Sequence, residues 1–280
     1  MRKRMTTVAI VLIFLVGLSV LLYPSVADYF NARNQSRAVA SYHDAVRELG
    51  AADLSEMLEA ARAYNEKLLS NPQRFSPTEE ETEEYRSLLS VTLGGIMGTL
   101  EVKAIGVDLP IYHGTSDAVL QIGAGHLEGS SLPVGGPGTH TVVTGHRGLP
   151  SSTLLTHLDR VQEGDIITLH VLNETLYYRV DHLSIVVPED FSEMGIVEGM
   201  DYCTLFTCTP YGINSHRMLV RGYRIDAPEA EEEVKREIRS EAGRINIYIP
   251  LLAIVAPAFI IILTFQIVKF FKTHGRGKRK

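Results

Sequence analysis

Two uncharged apolar runs, one near each end and each beside a basic flank, constrain this chain more than any other feature. Val8–Tyr23 is sixteen residues long and follows Arg2-Lys3-Arg4. Ile247–Val268 is 22 residues long and precedes Lys269, Lys272, Arg276, Lys278, Arg279 and Lys280. A membrane-crossing helix needs about 20 apolar residues, so the second run is long enough and the first slightly short. Pro250 and Pro257 are tolerable inside such a helix. Basic flanks stay on the cytoplasmic side. Residues 1–27 then read as a basic flank with a membrane anchor. A cleaved signal peptide ending at the small residues Pro24-Ser25-Val26-Ala27 is the alternative. Residues 247–268 read as a transmembrane helix, and 269–280 as a basic cytoplasmic tail.

The charge balance supports this layout. The chain totals −6, and the +3 and +6 of its basic ends leave the stretch between them at −15. An acidic middle argues against nucleic acid as the partner. It lies outside the membrane, where no ATP is expected, so bond-making chemistry there must carry its own energy. Two cysteines exclude a disulfide scaffold.

Within the middle, Tyr29–Leu69 reads as helix with a break at Gly50. Leu54, Met57, Leu58, Ala61, Leu68 and Leu69 form a packing stripe at helical spacing. Asn71–Pro77, with two prolines, reads as a loop. The acidic run Glu79–Glu84 reads as a solvated face. These residues make a helical region over 28–97. From Thr99 the texture becomes β: 99–105, 109–112, 140–145, 165–172, 175–187, 201–207 and 217–225 read as strands. Ser151–Leu158 is the one helix expected among them, capped by Ser151 or Ser152. Many short strands with few helices indicate a sandwich or closed barrel over 98–226. Residues 227–246 form an acidic stalk.

Cys208 ends a strand, where Thr209-Pro210-Tyr211-Gly212 forces a turn. Cys203, mid-strand among apolar neighbours, reads as a buried hydrophobe. Five extended residues span about 16 Å, too far for an internal disulfide. His146 also sits where a strand meets a Gly/Pro turn, and an imidazolium is the usual helper of a thiolate nucleophile. Spacing alone does not choose among the ten histidines. Arg217 begins the strand after the Cys208 turn. If those strands pair, its guanidinium can stabilise an oxyanion beside the thiol; a salt-bridged surface arginine is the other reading.

Three segments resemble the sortases, and within them the class C, pilus-assembling branch: TLFTCTPYGINSHRMLVRGYRI (204–225), THTVVTGHRGLPSSTLLTHLD (139–159) and LPIYHGTSDAVLQIGAGHLEGSSLPVGG (109–136). Thr204-Leu205-Phe206-Thr207-Cys208 matches the family's Thr-Leu-x-Thr-Cys signature. The resemblance implies a mainly β fold, a closed eight-stranded sortase-type barrel with N-terminal helices and flanking transmembrane helices. It implies Cys208 as nucleophile, His146 as acid/base and Arg217 at the oxyanion, with no cofactor and no metal. The implied substrates are pilin subunits bearing a Leu-Pro-x-Thr-Gly-like sorting signal, joined to a lysine amine of a second pilin. Anchoring of surface proteins to cell-wall precursor, or a non-catalytic membrane-tethered binding barrel, are the competing functions. Many class C members carry an Asp-Pro-aromatic lid over the cysteine. Here the corresponding stretch, Asn71-Pro72-Gln73-Arg74-Phe75-Ser76-Pro77, has no Asp-Pro. Phe75 is its candidate plug, and without an acidic anchor such a cover is expected to be held weakly.

Overall fold

The computed structural model describes residues 2–92 and 94–227. The expected stalk beyond Ala227, the second span 247–268 and the tail 269–280 lie outside the described residues. Three helices precede the barrel: α1 (Arg2–Glu48), α2 (Ala51–Leu69) and α3 (Glu79–Ser87). The strands are β1 (Ile96–Val102), β2 (Val107–His113), β3 (Ala124–His126), β4 (Thr139–Thr144), β5 (Ile166–Val171), β6 (Glu174–Val186), β7 (Asp201–Thr209) and β8 (His216–Ile225). A short α4 (Asp117–Leu120) joins β2 to β3.

α1 is one unbroken helix through Pro24, so it runs on past residue 27 without a break. It is long and apolar enough to cross a membrane, with exposed Leu12, Ile13, Val16 and Val20. Farther along, Gln35, Val39, Tyr42 and Val46 are buried, a stripe at helical spacing that lies on the barrel. The Tyr42 hydroxyl donates to the Met97 carbonyl at 3.1 Å and accepts the Leu172 N–H at 2.7 Å. Asn31 Nδ2 donates to Ser151 O, Gln35 Nε2 to Ser152 Oγ, and Asp28 Oδ1 accepts the Thr153 N–H.

The break at Gly50 falls between α1 and α2, where Gly50 is an extended N-cap. α2 buries Leu58, Ala61, Tyr64, Asn65 and Leu68, while Leu69, expected in the stripe, is exposed. Asn65 spans both backbone groups of Leu132, donating to its carbonyl at 3.1 Å and accepting its N–H at 2.7 Å. The acidic run opens α3. Thr78 caps it, and Glu79, Glu80 and Glu81 occupy the first turn, where negative charge meets the positive helix end.

The strands close into a barrel in the order β1-β2-β3-β4-β7-β8-β6-β5, the eight-stranded closure expected from the resemblance. β5 returns antiparallel to β1. Leu100, Leu169, Val180, Cys203, Leu205 and Val220 are among the buried residues of one continuous core. β3, three residues long, is the strand missing from the sequence reading. The helix expected at Ser151–Leu158 is instead a series of turns leading into a 3-10 turn at Leu158–Arg160. Leu154 adopts φ 41°, outside the right-handed helical region. This lets Leu154, Leu155 and Leu158 all enter the core.

Candidate active site

β4 and β7 lie side by side and parallel, pairing Thr139 with Asp201 through Thr144 with Phe206. Beyond the end of that ladder, side chains hold the same register. Thr207 Oγ1 donates to Gly145 O at 2.7 Å, and Arg147 Nη1 donates to Thr209 Oγ1 at 3.1 Å. His146 therefore stands level with Cys208. On the other side, β7 and β8 are antiparallel and pair Cys208 directly with Arg217. The three residues occupy one row across three adjacent chain segments. Neighbouring strands are about 4.8 Å apart, within reach of one another's side chains.

Strand alternation decides which cysteine is available. Cys203, Leu205, Thr207 and Thr209 are buried, whereas Tyr202, Phe206 and Cys208 are half-buried. Five positions apart, the two thiols point to opposite faces of β7. Both are free. Burial pushes the Cys203 thiol far up, so it stays protonated. Cys208 lies on the face that reaches solvent.

Of the other described histidines, His216 lies next to the row, pairing with Thr209 and so taking the opposite strand parity from Arg217, with its Nδ1 2.9 Å from Ser215 Oγ. His140 is fixed between Gly195 O at 2.8 Å and Thr204 Oγ1 at 2.7 Å. His126 lies between the Tyr85 hydroxyl at 3.0 Å and Ser131 O at 2.9 Å. Burial pushes both down to about 4, so they are neutral structural groups. His113 contacts the Gly95 and Leu88 carbonyls, and His182 pairs with Glu193 at 3.2 Å. Arg217 Nη1 donates to Asn214 O at 3.2 Å and His216 O at 3.1 Å. Among the described residues it pairs with no carboxylate.

The loop carrying Phe75 lies on the outer face of the same strands. Phe75 packs against the cluster of Val142, Met194 and Leu219, as do Leu127, Val186 and Phe206, and its ring centroid is 5.2 Å from that of Phe191. Phe206 pairs with Leu219, one same-face step along the ladder from the Cys208–Arg217 pair. Arg74 Nη2 donates to Met194 O at 3.1 Å, and Asn71 Oδ1 accepts the Gln73 N–H at 2.9 Å. An arginine–carbonyl bond thus ties down the loop that lacks an Asp-Pro. Gly129, at φ 91°, is required beneath it, because a Cβ there would sit 2.3 Å from Arg74 O.

Comparison with known proteins gives a consistent result. Residues 100–225 match the sortase domain family. Sortase C1 of Streptococcus agalactiae is 45% identical, aligns over 68% of this chain and 98% of its own, and superposes with a TM-score of 0.66. Sortase C of Streptococcus pneumoniae is 45% identical over 68% and 97% of the two chains, with a TM-score of 0.61. Sortase D of Bacillus subtilis is 27% identical over 55% of this chain and 77% of its own.

Proposed function

The chain belongs to the sortase family, in its class C branch, and on that premise we propose that it is a membrane-anchored, extracellular cysteine transpeptidase that polymerises pilins. The observation that carries this reading is the row His146–Cys208–Arg217. The Cys208 thiolate attacks the Thr–Gly carbonyl of a Leu-Pro-x-Thr-Gly-like sorting signal. Arg217, which pairs with no carboxylate among the described residues, holds the negative tetrahedral oxygen. The C–N bond breaks as the His146 imidazolium protonates the departing glycine amine. A thioester to Cys208 remains, keeping much of the energy of the broken amide. A lysine amine of a second pilin then attacks it, gives its proton back to His146 and releases the thiolate. One amide is exchanged for another, so no ATP or cofactor is required.

Phe75 covers the Cys208 end of the cleft in the resting enzyme and moves aside for the sorting signal. The apolar helix α1 supports the membrane location. Pilin as the substrate is supported by the likeness to sortase C of Streptococcus pneumoniae, which is described in terms of its pilin substrate specificity.

The test is mass spectrometry of the cross-linked product formed in cells. The expected product joins the threonine carboxyl of one pilin to a lysine Nζ of the next and is absent with Cys208→Ala. Attachment to the amine of a cell-wall precursor would instead make this a wall-anchoring sortase. Polymer persisting in Cys208→Ala cells would remove the nucleophile assignment.

A further inference from the structure

Arg147 directly follows His146, as Thr209 directly follows Cys208. The Arg147 side chain is only 9% exposed, and its Nη2 lies 2.7 Å from Asp159 Oδ2. Its Nη1 donates to Thr209 Oγ1 at 3.1 Å. One guanidinium thus joins the residue after the imidazole to the residue after the thiol. It also fastens both to the turn at Leu158–Arg160.

The place of this junction matters. The β4–β7 ladder ends at the Thr144–Phe206 pair. Past it, Thr207 Oγ1 reaches Gly145 O before the His146–Cys208 level. The Arg147–Thr209 bond crosses beyond that level. It is the one polar side-chain link described between the two chains past His146; the Tyr211 ring also lies against Gly148 there, an apolar contact that fixes no register by itself. The arrangement is costly as a stability device. Arg147 Nε is buried with no hydrogen-bond partner, and such an orphan costs about 1–3 kcal/mol. Its carboxylate partner Asp159 is 43% exposed, and an ion pair open to water adds little stability.

We propose that Arg147 is a positioning residue, a staple that fixes the His146 imidazole at the level of the Cys208 thiol. The proposal rests on the reading of Cys208 and His146 as nucleophile and acid/base. It adds a residue that touches neither substrate nor the reacting atoms.

The test uses the full chain in detergent and a synthetic peptide containing Leu-Pro-Glu-Thr-Gly. Single-turnover acylation is followed by intact-protein mass spectrometry. Arg147→Met should lower the saturating acylation rate by about ten- to a hundredfold, the range expected for a sub-ångström to ångström misplacement. The half-saturating peptide concentration should stay within about twofold, because ground-state binding is untouched. The thermal midpoint should hold within a few degrees, since methionine fills the buried volume and removes the orphaned Nε, while Asp159, 43% exposed, is left to water. Arg147→Lys should restore part of the rate, keeping the charge but not the planar fork. Thr209→Val should slow acylation, and the Arg147→Met/Thr209→Val double variant should be no slower than Arg147→Met, because both remove the same bond. Arg47→Gln, which removes an exposed guanidinium on α1, serves as the unaffected control.

An Arg147→Met rate within about twofold of wild type per folded molecule would overturn the staple. So would a double variant whose losses multiply. Should Arg147→Met fail to fold, unchanged rates in both Thr209→Val and Arg147→Lys have the same force. Acylated Cys208→Ala would instead remove the underlying catalytic reading. An inert Cys208→Ala with a fully active Arg147→Met removes only the staple.

Discussion

Gly129→Ala should unlock the Phe75 loop while leaving the barrel intact. Two contacts hold the loop down. The bond from Arg74 to the Met194 carbonyl contributes about 1–2 kcal/mol, as expected for a charged donor that is half-buried. The half-buried Phe75 ring contributes about 1 kcal/mol. Together these favour the closed loop by about 2–3 kcal/mol, or roughly thirty- to a hundredfold at a tenfold per 1.4 kcal/mol. An alanine at φ 91° is strained by about 1–2 kcal/mol. Its Cβ would also meet Arg74 O at 2.3 Å and Phe75 Cδ1 at 2.8 Å, so the backbone of the loop has to withdraw. Strain and clash together match or exceed what holds the loop closed. The assay is the pseudo-first-order rate of alkylation by iodoacetamide at fixed pH, in a Cys203→Ala background so that Cys208 alone responds. Gly129→Ala should raise that rate by about ten- to a hundredfold, and Phe75→Ala by about fivefold. A Gly129→Ala rate within about twofold of the parent, with an unchanged thermal midpoint, would refute the closed-loop reasoning.

Three further outcomes are expected. Arg217→Lys should lower acylation by about a hundredfold, because a point charge replaces the planar fork at the oxyanion; a near-normal rate would reduce Arg217 to a charge role. Tyr42→Phe should cost about 1–3 kcal/mol in urea unfolding, since the buried Leu172 N–H loses its acceptor; a midpoint equal to wild type would show that α1 does not brace the barrel there. Stability should fall on acidification from pH 6.5 toward 4. Burial holds His126 and His140 down to about 4, so the unfolded chain, whose histidines titrate near 6.5, binds protons first. By pH 5 this removes about 2 kcal/mol per histidine, and a urea midpoint flat from pH 7 to 5 would contradict it.

What the sequence made legible follows local physics. The break at Gly50 and the alternating texture of β4 to β8 each depend on neighbouring residues. Cys203 could be set apart from Cys208 by strand parity and apolar neighbours, without any fold. The local signal failed where distant contacts override it. Ser151–Leu158 has helical composition, but Leu154 turns to φ 41° so that three leucines reach the core. β3 is too short to show a period, and exists because β2 and β4 flank it. α1 passes Pro24 without a boundary, since proline need not end a helix of this kind.

Residue spacing left ten histidines open, and the family resemblance alone singled out His146. By itself the sequence determined two chemically suggestive turns, one bearing His146 and the other Cys208, together with a family signature around the second. It could not place the turns together, because parallel pairing joins strands that no tight turn connects. Only the closed barrel, with β7 inserted between β4 and β8, sets His146 and Arg217 on either side of one thiol. The same closure buries His126 and His140 and takes them out of the chemistry. It also brings Arg147 to Thr209, a contact with no local signature, since the hydrogen bond depends on a register that barrel closure alone sets.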